Sequence, residues 1–202
     1  MVTGRYGVSP RRIEPCARFE AAGEPHALAA ALRMAGLPLP SDANTAVRSP
    51  AGWQVAWLGP RRFVVTGPIR DELRLQRLLH DAFSQFVSAD VCCSTDMVAC
   101  FELAGPGAAS VLAQGTALDV SDAAFAAGSA TVTDLWGVAA VVERPTQSPL
   151  CRVITVDRSL AGFIEGWLRT ADGLPSSIKP GVMRSASGAA PLPDSMAKAR
   201  AL

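Results

Sequence analysis

Two segments of this chain carry their apolar residues on a single helical stripe, and that pattern dictates what the rest must provide. In the first, Leu75, Leu78, Leu79, Ala82, Phe83 and Phe86 recur at i, i+3, i+4, i+7, i+8 and i+11. In the second, Leu160, Phe163, Ile164, Trp167, Leu168 and Ala171 repeat the same spacing. A stripe of that width buries one face of a helix against a broad apolar surface. Pro68 opens the first helix, with Asp71 and Glu72 placed well for its first turn, and Ser159 is the expected N-cap of the second. A third helix is predicted over 25–36, from Pro25 at a first-turn position to a C-terminal cap at Gly36.

The surface these helices need is supplied by strands. Residues 53–58 and 63–66 are β-rich and separated by Gly59-Pro60-Arg61-Arg62, a hairpin signature. Further strands are predicted over 17–21, 87–93, 97–104 and 150–157, and a second hairpin over 129–135 and 138–144 turns near Trp136-Gly137. Residues 41–52 read as loop, and a short helix follows Gly105-Pro106-Gly107. Strand pairs alternating with single amphipathic helices imply an α+β domain: an antiparallel sheet with amphipathic helices on one side. Periodicity alone shows no internal repeat. Residues 1–18 read as an N-terminal arm, 19–172 as the domain, and 173–202, rich in Pro, Ser, Gly and Ala, as a flexible tail.

The balance of charge narrows the partners. A net charge of +1 over 202 residues lacks the basic excess that phosphate backbones select, so no nucleic acid is expected. No apolar run approaches the roughly 18 residues of a membrane span, so no membrane is expected, and no signal peptide precedes Arg12. Five cysteines, with Cys92 and Cys93 adjacent and no C-x-x-C pair, suit free thiols in a reducing compartment. The expectation is a cytoplasmic protein.

Catalytic constellations are hard to find. The two histidines, His26 and His80, fall on predicted helices with no carboxylate or thiol at ligand spacing. No G-x-S-x-G occurs. Gly105-Pro106-Gly107 lacks both the G-x-G-x-x-G pattern and a Walker lysine, and its proline removes a backbone donor. It reads as a structural turn. Cys92-Cys93-Ser94-Thr95-Asp96 has no cationic sequence neighbour to activate a thiolate. Asp119 and Asp122 flank a turn. Trp53 and Trp57 share one face of their strand as core or interface anchors. The residues by themselves give a soluble α+β domain with no visible catalytic set.

The order of segments says more. The run LRMAGLPLPSDANTAVRSPAGWQVAWLGPRRFVVTGP (32–68) resembles the gamma subunit family of heterotetrameric sarcosine oxidase, in which a short helix, a Leu-Pro exit and a W-L-G-P strand pair follow one another. ADVCCSTDMVACFELAGPGAASVLAQGTALDV (89–120) is similar to that family's V-D-x-S strand, L-x-G-P-x-A helix entry and L-A-x-G-x-x-L-D-L stretch. Residues 125–143 resemble its F-x-x-G turn and hairpin, and VDRSLAGFIEGWL (156–168) its closing segment. Two segments depart from it: Arg61, Arg62 and Phe63 stand where an acidic residue and Trp follow L-G-P, and Val91-Cys92-Cys93-Ser94 replaces V-D-x-S.

The resemblance implies a non-catalytic gamma subunit of a complex that oxidatively demethylates sarcosine or a related N-methyl amine. It implies part of an aminomethyltransferase-like folate-binding fold, packed on the folate-binding domain of the alpha subunit, with beta and delta subunits in the same complex. No cofactor is expected on this chain, while FAD, FMN, NAD and tetrahydrofolate are expected in the partner subunits. Candidate interface residues are Arg61 and Arg62 at the hairpin tip, which otherwise form a plain exposed tip, and Ile178, Val182 and Met183 in the tail. The alternative is a stand-alone folate-binding or aminomethyltransferase-like protein, which requires roughly twice this length.

Overall fold

The computed structural model describes residues 5–148 and 150–173. Among them ten strands form two five-stranded antiparallel sheets, each covered by helices on one face. In the first sheet, β2 (Ala17–Gly23) pairs with both β5 (Arg62–Gly67) and β6 (Ala89–Cys93), and β4 (Gln54–Gly59) joins β5 to the three-residue β3 (Ala46–Arg48). In the second, β7 (Val98–Ala104) pairs with β1 (Ser9–Ile13) and β10 (Cys151–Asp157), and β9 (Val138–Glu143) joins β10 to β8 (Ala130–Leu135).

Helices α1 (Pro25–Met34) and α2 (Glu72–Phe83) cover the first sheet. Leu28, Leu32, Leu75 and Leu79 pack there on Phe19, Val55 and Val65. Helices α3 (Ala108–Leu112) and α4 (Ala161–Ala171) cover the second, where Val111, Leu112, Ile164 and Leu168 meet Phe101, Leu103 and Ile154. The uncovered faces turn toward each other through small residues: Ala56, Leu58 and Val64 on one sheet, Ala130 and Val141 on the other. The order of layers is therefore helix, sheet, sheet, helix, two apolar cores outside a thinner central one.

The two halves repeat one topology. The order β2-α1-β3-β4-β5-α2-β6 matches β7-α3-β8-β9-β10-α4, and the sheet orders β3-β4-β5-β2-β6 and β8-β9-β10-β7-β1 correspond strand for strand. Among the described residues no strand follows α4, and β1 from the start of the chain takes the corresponding place. The backbone N–H of Arg5 donates to the Asp172 carbonyl at 2.7 Å, and that of Tyr6 to Asp172 Oδ1 at 3.1 Å.

Several sequence expectations change. Residues 9–13, assigned to an arm, are the edge strand β1, held by ladder bonds to β7 that a Pro- and Arg-rich segment does not advertise. The strand expected over 17–21 is β2, which runs on to Gly23, so Ala17 and Arg18 belong to it and not to the arm. Residues 46–48, read as loop, form β3. A 3₁₀ turn, Ile69–Asp71, precedes α2, and Phe86 lies beyond its end. Phe163 and Trp167, placed on the buried stripe of α4, are 44% and 37% exposed. The helix buries the narrower set Ala161, Ile164 and Leu168, while Trp167 packs instead on Trp136 and Phe163 at the surface. The expected tail lies outside the described residues apart from Gly173.

Candidate partner interface

Trp136 sits at the tip of the β8–β9 hairpin in a left-handed conformation, φ 52°, followed by Gly137 at φ 85°. Two positive φ values at the central residues are what a tight hairpin turn demands. Glycine meets that demand without cost, and an indole-bearing residue does not. The strained conformation projects Trp136 sideways. Its N–H donates to the Gly115 carbonyl at 2.7 Å, and its ring lies so close to Gly115 that a Cβ there would stand 2.4 Å from the indole. Gly115 is therefore the one residue type that leaves the ring room.

On its other side Trp136 stacks on Trp167, centroids 5.9 Å apart and planes 7° from parallel. Phe163 meets Trp167 edge-on at 6.3 Å, completing an aromatic trio that joins the hairpin tip to one face of α4. Trp136 is half-buried, while Trp167 and Phe163 are exposed. An exposed aromatic cluster fixed by packing is what protein interfaces use as anchors. Sequence analysis had put Trp167 and Phe163 in the core and Trp136 in a turn. The available signal was a tryptophan rather than Asn or Asp ahead of a hairpin glycine.

The proposed hairpin-tip residues lie elsewhere, between β4 and β5. Arg61 is exposed and paired with Glu24, and Arg62 donates to Glu20 Oε2 at 2.8 Å. Each is thus already neutralised within the chain. Ile178, Val182 and Met183 lie outside the described residues. Trp53 is core, its Nε1 donating to Asp71 at 3.1 Å, and the half-buried Trp57 stacks on Phe63 at 5.5 Å.

His26 and His80 are exposed. Among the described residues no group of three or more His, Cys, Asp or Glu is placed to hold a metal ion, and no helix is long and apolar enough to cross a membrane. The Gly105-Pro106-Gly107 turn is filled by the N-terminal chain, since a Cβ on Gly107 would meet the Tyr6 carbonyl at 2.2 Å. Asp122 binds two buried arginines, Arg152 at 2.6 Å and Arg144 at 3.0 Å, and Arg152 holds its carboxyl below the usual range. Burial pushes the Glu143 carboxyl up, against the bond it accepts from Gln54 at 3.0 Å. The Cys100 thiol is drawn down to about 6 by a hydrogen bond from Cys16, with Thr155 at 3.5 Å, while the Cys16 thiol is pushed up by the same contact. Burial raises Cys151 to about 11.

Residues 18–173 match the model of the sarcosine oxidase, gamma subunit family. The chain belongs to that family. The fold agrees with a chain of heterotetrameric sarcosine oxidase from Corynebacterium sp. U-96, solved with pyrrole 2-carboxylate, at a TM-score of 0.76 and 23% identity, covering 89% of this chain and 91% of that one. It also resembles aminomethyltransferase T of the glycine cleavage system from Bartonella henselae, at a TM-score of 0.63 and 15% identity. There 80% of this chain matches 45% of the other, so the chain spans under half of that enzyme. No curated protein matches it in sequence. The α+β, aminomethyltransferase-like fold read from the sequence is the one observed, built as two helix-covered sheets.

Proposed function

We propose that this chain is a non-catalytic subunit of a heterotetrameric sarcosine oxidase-type complex that oxidatively demethylates sarcosine or a related N-methyl amine. The observation that carries this reading is the family match over residues 18–173, joined to a fold that covers 89% of the chain in a heterotetrameric oxidase. In this reading FAD, FMN, NAD and tetrahydrofolate reside in the partner subunits, and the complex works in the cytoplasm. The chain docks on the folate-binding domain of the alpha subunit, with beta and delta in the same assembly.

The trio of Trp136, Trp167 and Phe163 is the contact this reading favours, because its rings are held in place before any partner arrives and lose little side-chain freedom on docking. The competing contact is the Arg61–Arg62 tip. Both arginines already have carboxylate partners, and an exposed ion pair exchanged for another yields little. Co-expression with the neighbouring oxidase subunits tests the reading. The expected result is co-purification in a flavin-containing complex whose sarcosine- or N-methyl amine-dependent turnover falls when this chain is omitted. A complex that assembles and turns over equally well without it refutes the proposal.

A further inference from the structure

Where the two sheets face each other, away from their small-residue contact, a cleft of about 280 Å³ opens between β2 and β6 on one side and β8 to β10 on the other. Its most unusual occupant is Arg18. The side chain is only 3% exposed, yet its nearest carboxylate is Glu20 Oε1 at 3.7 Å, too long for a hydrogen bond. Its Nε meets no acceptor among the described residues. Glu20 is meanwhile committed to Arg62, which donates to Oε2 at 2.8 Å. Ser94, also buried and lining the cleft, has a hydroxyl without a partner among the described residues. Asp157 reaches the same cleft, but its carboxylate accepts from the Ser159 N–H at 2.8 Å and hydroxyl at 2.5 Å.

A guanidinium withdrawn from water recovers its hydration through hydrogen-bonded acceptors, and here the Nε has none, Glu20 stands off at 3.7 Å and Glu143 acts only from farther away. The arginine is nonetheless firmly held. The Arg18 N–H donates to Thr95 Oγ1 at 3.0 Å, and the Ser94 N–H donates to the Arg18 carbonyl at 2.8 Å, so the two residues are locked to each other through the main chain. The fold fixes a cation and a hydroxyl at one wall of a cleft that Val98, Val132 and Val141 also line, together with the polar Glu20, Arg62, Thr155 and Asp157. We propose that this cleft binds a carboxylate group, with the Arg18 guanidinium as its main contact and Ser94 beside it. A planar carboxylate matches the guanidinium fork. The volume accommodates a short aliphatic acid or one acidic side chain. Glu20 stays on Arg62 when the guest arrives, and the weak 3.7 Å pair is all that the guest displaces.

The carboxylate has two sources: a free short-chain acid, or an Asp or Glu side chain of a neighbouring subunit. Only the second rests on the assembly proposed above. Sodium acetate is titrated into the full chain, with sodium chloride exchanged to hold ionic strength constant. Thermal unfolding is followed together with transfer of NMR saturation from protein methyls to the acetate methyl. The expected result is a saturable rise in Tm and a transfer signal, both abolished in Arg18→Gln and weakened in Ser94→Ala. Where Arg18→Gln fails to fold, Ser94→Ala decides. If the response persists in the assembled complex, the guest is a free acid. If it is lost there, a partner's carboxylate fills the cleft. Absence of a saturable response in the chain alone, or a response untouched by the variants that fold, overturns the proposal whatever the assembly does.

Discussion

Adjacent residues on α4 separate folding from docking. Leu168 is fully buried in the second core, whereas Trp167 is 37% exposed and stacked on Trp136. Leu168→Ala should cost folding about 2–5 kcal/mol, the range for truncating a buried leucine with partial cavity collapse. Trp167→Ala forfeits roughly 160 Å² of burial, about 4 kcal/mol at about 25 cal/mol per Å², so it should destabilise by a comparable amount. Association should separate the two, since only Trp167 offers surface to a partner. Taking about 250 Å² for an indole, the 37% exposed fraction leaves roughly 90 Å² to bury on a partner. At about 25 cal/mol per Å² that is roughly 2 kcal/mol, or about 30-fold in Kd. Urea denaturation reads the first quantity, and surface plasmon resonance on the immobilised alpha subunit reads the second. If Trp167→Ala binds alpha as wild type does, the aromatic trio is not the contact. If Trp167→Ala keeps the urea midpoint of wild type, α4 is seated differently from the arrangement described above.

Gly115→Ala should displace the Trp136 ring, which a Cβ would approach to 2.4 Å. Weaker excitonic coupling in near-UV circular dichroism, with the helical signal retained, would register that displacement. Glu143→Gln should raise Tm at pH 7. Burial lifts the folded-state pKa of Glu143 above the unfolded value, so the unfolded chain releases that proton first and stability falls as pH rises through the window above 4.5. The variant should flatten that slope, and an unchanged Tm–pH profile would contradict it. Cys16→Ala should remove the contact that draws the Cys100 thiol down. Its titration, followed by thiolate absorbance, should then move to higher pH, and a wild-type titration in the variant would show that Cys16 is not the cause.

Most of the strands and all four helices were legible because each announces itself locally. The α2 stripe, the G-P-R-R hairpin tip and the alternation through β10 depend on neighbours only a few residues away. What stayed hidden was set by distant pairing. Ser9–Ile13 carries Pro10, Arg11 and Arg12, poor strand residues by composition, and becomes β1 only because β7 offers it a ladder across some ninety residues of chain. Proline and arginine are tolerated there because β1 is an edge. The same blindness explains Phe163 and Trp167. A helical stripe records which side chains share a face, not how far the sheet beneath extends, so a six-residue stripe was read as fully buried when the support reaches only part of it. Arg18 was silent for a related reason, since nothing in ARFEAAG says that the second sheet will fold over the arginine's side of β2.

The repeated topology ties these observations together. Each half folds from a first strand, two helices and a hairpin, and each completes its sheet with an edge strand beside that first one: β6 next to β2, and β1 next to β7. In the first half that strand follows its helix directly. In the second it is borrowed from the start of the chain, and the Arg5 and Tyr6 bonds to Asp172 bring it to the end of α4. The borrowed strand therefore closes the domain. It couples the first described residues to the last and lays the Tyr6 backbone into the Gly105–Gly107 turn at the entry to α3. The aromatic trio stands on this closed second half, while the Arg18 side chain lies where the two halves meet. A contact at the trio thus bears on the unit that β1 completes, and a guest beside Arg18 bears on how the two sheets are held. Under the proposed function the two sites answer separate needs, one a rigid surface for a partner and the other an acceptor for a buried charge.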